Sequence, residues 1–120
     1  MAVHLPGVQI PAGATADIRI QVTAQANVTA FVARQKVTQF VVQEISSQLG
    51  AGEPDLVVGD RLRWSVPVLF TLPGKGVVGR AGEVEVDATT GELLTEADTV
   101  ARIGDHAQRL AQRALLQAGA

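Results

Sequence analysis

The 120-residue sequence predicts one α+β domain: an antiparallel β-meander of three to four strands packed against one amphipathic helix, with an extra N-terminal strand and a C-terminal helix. Three observations predict it. Apolar residues alternate with period two over 17–24 and 61–72, they recur every three or four residues over 30–49 and 96–117, and Gly- and Pro-containing turns separate the alternating stretches. A chain of this length with 47% hydrophobic residues can bury roughly two thirds of its unfolded surface without cross-links. Residues 1–16, with Pro6, Gly7, Pro11 and Gly13, read as a flexible arm, and 17–120 as the domain.

The first strand, 17–24, sets Ile18, Ile20, Val22 and Ala24 on one side and Asp17, Arg19, Gln21 and Thr23 on the other. The helix at 30–49 follows from Ala33, Val37, Val41, Ile45 and Leu49, with Phe40 beside them and no Pro or Gly before Gly50. Its valines have middling helix propensity, so burial of the stripe must stabilise it, and the stripe needs a sheet.

That sheet follows. Leu56-Val57-Val58 meets Arg61-Leu62-Arg63-Trp64 across Gly59-Asp60, a pair suited to a type II′ turn. In the longer strand Leu62, Trp64, Val66, Val68, Phe70 and Leu72 share the core face, with Arg61, Arg63, Ser65 and Thr71 opposite. Pro67 lacks a ladder donor and marks a bulge or a point where pairing on one side has ended, so local irregularity is expected there. Leu72-Pro73-Gly74-Lys75 has the residues of a type II turn. Val84 and Val86 then point to the core, and Glu83, Glu85 and Asp87 point outward. A three-residue loop at 73–75 would put Arg63 opposite Glu85 and Arg61 opposite Asp87, unless Gly76, Gly79 and Gly82 introduce bulges. A turn over 87–91 uses Asp87 as acceptor and Gly91 for the left-handed position, and 92–94 return as a short strand. Last, Thr95-x-x-Asp98 resembles a capping box ahead of Val100, Ile103, Ala107, Leu110 and Ala114. Gly104 within that helix implies a kink or a close neighbour, and the Ala-rich stripe suits either the sheet or a second copy of itself.

Composition narrows the function. Ten basic and twelve acidic side chains give a net charge of −2, which leaves no basic field for nucleic acid. There is no Cys and no Tyr, and with only two His the residue types that perform acid–base and nucleophilic work are nearly absent. The longest apolar run, 66–70, falls far short of the roughly 20 residues that span a bilayer. The N-terminal residues resemble no secretory signal. The expectations are therefore a cytoplasmic protein with no cofactor and no membrane or nucleic-acid partner.

The stretch Arg63-Trp64-Ser65-Val66-Pro67-Val68, followed by Gly82-Glu83-Val84-Glu85-Val86-Asp87-Ala88-Thr89-Thr90-Gly91-Glu92-Leu93-Leu94, resembles the PepSY domain family in its W-x-V strand and V-x-V-D-x-x-T-G-E strand and turn. Including the preceding helix, the resemblance covers about 30–94. It implies a non-catalytic module that binds or inhibits enzymes and has no catalytic residues to carry over; Trp64, Asp87, Thr90 and Gly91 match its hallmark positions.

Each reactive-looking group also has a plain structural account. Glu83, Glu85 and Asp87 form a solvated face balanced by Arg61 and Arg63, since alternate strand positions are too far apart for a hard-cation site. His106 is an exposed helical residue beside the Asp98–Arg102 and Asp105–Arg109 spacings, and His4 lies alone in the arm. Gly74-Lys75-Gly76 and Gly79-x-x-Gly82 match no phosphate-binding fingerprint. Trp64 reads as a core anchor. Asn27-Val28-Thr29 fits the glycosylation acceptor pattern, and the expectation of a cytoplasmic chain leaves it without a role.

The expected function is a non-catalytic protein-binding module acting on a protein partner. Its candidate interaction surface comprises Arg61, Arg63, Glu83, Glu85, Asp87, Val100, Ile103 and Leu110, used by strand addition at a sheet edge, with the first or last strand as the expected edge, or by helix pairing. Two alternatives stand beside it: a small-ligand-binding or hydrolytic domain using Glu83, Glu85 and Asp87, and a structural homo-oligomer, such as a homodimer, joined through Val100, Ile103, Leu110 and Ala114.

Overall fold

The computed structural model describes residues 3–6 and 26–118. It contains β1 (Val3–Pro6), α1 (Ala30–Glu44), β2 (Leu49–Ala51), β3 (Asp55–Val58), β4 (Leu62–Leu72), β5 (Gly76–Asp87), β6 (Leu93–Leu94) and α2 (Thr99–Ala118). All pairings are antiparallel, in the order β1-β3-β4-β5-β6, and β2 pairs with the far end of β4. The α+β class and the meander from β3 to β6 agree with the sequence. The strand expected at 17–24 lies outside the described residues, as does the arm apart from residues 3–6. Those four residues form β1 along β3, with His4 opposite Val57.

α1 begins where the side chain of Thr29 accepts a hydrogen bond from the Val32 N–H, at 3.2 Å. It buries Ala33, Val37 and Val41 against the sheet and ends at Glu44, five residues short of the expected limit. The reason is local: the Ser46 hydroxyl accepts from the Gln48 N–H and its carbonyl from the Leu49 N–H, a turn that competes with helix. Leu49 is still buried, but as the first residue of β2 opposite Phe70. Arg34 donates to the Ala51 carbonyl at 3.0 Å, and Thr38 accepts from the Ala51 N–H at 3.3 Å, tying β2 to the helix.

The core face of β4 is as expected, with Leu62, Trp64, Val66, Val68 and Phe70 all buried with Val84 and Val86 of β5. The β3–β4 link has three residues instead of two, because Val58 pairs with Leu62. A two-residue link would oppose Val58 to Arg61, setting a core residue against a solvated one. Pro67 causes no break in the β5 ladder. Its carbonyl accepts from Gly52 on the side of β4 away from β5, and a strand residue's N and O point the same way, so the missing donor faces that side too.

The irregularities fall on β5. Ala81 and Val78 are left unopposed between Gly82 and Arg80 and between Gly79 and Val77, giving two bulges. One bulge would flip the strand's faces and two restore them, so Val84 and Val86 stay inward while the register moves. Arg63 therefore faces Asp87, and Glu85 faces Ser65, which corrects the expected register. The 72–75 turn has Gly74 at φ 79° and a Lys75 N–H to Leu72 carbonyl bond, as its residues predict.

α2 starts at Thr99, three residues later than expected. The side chain of Thr99 accepts from the Glu96 N–H at 3.0 Å, so a reciprocal bond of the capping-box kind forms there and not between Thr95 and Asp98. Thr99, Ile103, Ala107 and Ala114 are buried, whereas Val100 is 37% exposed, turning the stripe by one position. Both helices contribute to a single apolar cluster with the sheet.

Gly104 serves no close approach: a methyl built on it would meet only Ile45 Cγ2, at an ordinary 3.7 Å. Gly104→Ala is expected to stabilise the fold by about 1 kcal/mol through helix propensity. Urea unfolding would check this, and a loss of stability would mean that the neighbourhood is tighter than its spacing indicates.

Candidate functional site

The residues singled out from sequence fall into two separate groups. On the outer face of β4 and β5, Arg63 Nε lies 3.3 Å from Glu85 Oε2 and Arg61 Nη1 lies 3.5 Å from Asp87 Oδ2. The ion partners are those expected, but they meet diagonally across the shifted register. Glu83 is held by Arg80 at 2.9 Å and by the Ser65 hydroxyl at 3.1 Å. Each of the three carboxylates therefore has an arginine. Among the described residues no three His, Asp or Glu side chains cluster closely enough to hold a metal ion.

Asp87 is buried, and its role is structural. Its Oδ1 accepts from the Thr89 and Thr90 N–H groups at 2.8 and 3.0 Å, while Gly91, at φ 79°, closes the turn by donating to the Asp87 carbonyl. The backbone donors of Thr90 and then Thr89 hold its carboxyl below the ordinary aspartate value, helped by Arg61 and opposed by desolvation. Because the folded state lowers this value, the ionised group contributes stability that is complete above the unfolded value, about 3.9, and is lost as the pH falls through the folded one. In Asp87→Asn, the stability deficit relative to wild type should shrink as the pH is lowered from about 5 to about 2. A deficit constant across that range in urea titrations would separate Asp87's role from its charge.

The second group lies on α2. Ile103 is buried, and Leu110 is half-buried against Gly79 of β5, so this part of the stripe is spent on the sheet. Val100 alone of the three is exposed. The Asp98–Arg102 pair forms at 3.2 Å, with Glu96 also 3.7 Å from Arg102, whereas Asp105 and Arg109 are not paired. His106 is exposed, as expected.

Between the two groups runs a feature that sequence reasoning missed. β6 pairs with β5 only at Glu85 and Val86, so residues 76–84 have no strand beside them on that side among the described residues. Along this edge lies a cleft of about 540 Å³, lined on the β5 side by Ala81 and Glu83 and on the α2 side by Arg102, Asp105, His106 and Arg109. The signal available in the sequence was the length mismatch, a twelve-residue strand followed by a two-residue one. Trp64 is not part of this surface: it is 8% exposed and donates its Nε1–H to the Val28 carbonyl at 2.7 Å. Among the described residues no helix is long and apolar enough to cross a membrane.

Comparisons of the chain with protein-family models, with curated proteins and with solved structures find no match.

Proposed function

We propose that this chain is a non-catalytic protein-binding module of PepSY-like character that regulates or inhibits a partner enzyme. The observation that carries the proposal is the edge of β5 beside the α2 cleft, where no strand among the described residues pairs with residues 76–84. An edge strand presents N–H and C=O groups that an extended segment of another protein can complete, and the flanking side chains then select the segment. The carboxylates support a non-enzymatic role: Glu83, Glu85 and Asp87 are each paired with an arginine, and the Asp87 carboxyl is held below the ordinary aspartate value, the direction opposite to what a general acid needs.

Affinity capture from the native host with mass spectrometry tests this, comparing wild type with a double variant, Asp105→Lys with Arg109→Glu. Both substitutions alter exposed cleft residues. Wild type should retain a stoichiometric partner that the double variant loses, and the complex should show slowed amide hydrogen exchange over residues 76–84. The absence of a partner, or a partner held equally by the double variant with no protection of that edge, would overturn the proposal.

A further inference from the structure

We draw no further inference here: the strongest candidate, the solvent-facing groove on α1 where Phe31 and Val42 flank Arg34, Gln35, Thr38 and Gln39, is an unpartnered helix face among the described residues, and nothing in the structure shows what covers it.

Discussion

Trp64→Ala is expected to lower the unfolding free energy by about 3–5 kcal/mol, the range for truncating a buried aromatic. Against a total stability of about 5–15 kcal/mol for an ordinary domain, that loss leaves a large unfolded fraction at elevated temperature. The indole is 8% exposed and sits in the cluster that joins α1 to β4 and β5. It also has a polar task. Val28, whose carbonyl receives the indole N–H, donates its own N–H to the Ala88 carbonyl, and the next residue, Thr29, caps α1. The ring thus fixes the entry to the helix as well as filling the core. Trp64→Phe separates the two roles: it keeps most of the apolar volume but leaves the Val28 carbonyl without its donor, at a cost of about 1–3 kcal/mol. Hydrogen exchange in the first turn of α1 should rise in both variants. Because Trp64 is the sole tryptophan, unfolding must be followed by circular dichroism. A near-neutral Trp64→Ala would mean that the ring is not buried and would return it to the recognition surface.

Periodicity revealed most of the fold, since the stripes of Val37 and Val41 and of Trp64, Val66 and Val68 have one compatible partner each. Turn chemistry was equally legible: Pro73-Gly74 and Asp87 with Gly91 act through bonds a few residues long. Errors arose where a tertiary contact competes with a local pattern. Leu49 continued the helical spacing perfectly, yet the hydroxyls and carbonyls at Ser46 end the helix, and pairing with Phe70 gives Leu49 its burial in a strand. Val100 fitted the α2 stripe equally well, but helix orientation is set by what lies beneath, and there the buried position belongs to Thr99. The ion partners of Arg61 and Arg63 were readable from charge, whereas the register was not, because two bulges leave the parity unchanged and so leave no trace in the alternation. The cleft beside β5 had only an indirect signal: the returning strand expected at 92–94 is too short to pair along the whole of β5, but nothing in the sequence says that α2 would form the opposite wall.

Gly82→Ala should be the most damaging of the small substitutions, lowering stability by about 2–4 kcal/mol through overpacking of about 1–3 kcal/mol and backbone strain of about 1 kcal/mol or more. A methyl there would lie 2.8 Å from Ile103 Cγ1, and Gly82 has φ +157°, which side-chain-bearing residues rarely adopt. Ile103 is 3% exposed on α2, so the clash can be relieved only by lifting the helix or distorting the bulge. Gly79 supplies the control. A methyl at Gly79 meets Leu110 Cδ2 at 3.0 Å, the end of a flexible, half-buried side chain, and Gly79→Ala should stay within about 1 kcal/mol of wild type. The cause can be isolated by a double-mutant cycle. Ile103→Ala alone costs about 2–5 kcal/mol by leaving a cavity, but combined with Gly82→Ala it removes the colliding atom, so the pair should lose less than the sum by more than about 0.5 kcal/mol. Strict additivity would show that α2 does not rest on the β5 bulge through Ile103. In that case the wall of the cleft would be free to move, and the uncovered edge would lose the fixed neighbour on which selective binding depends.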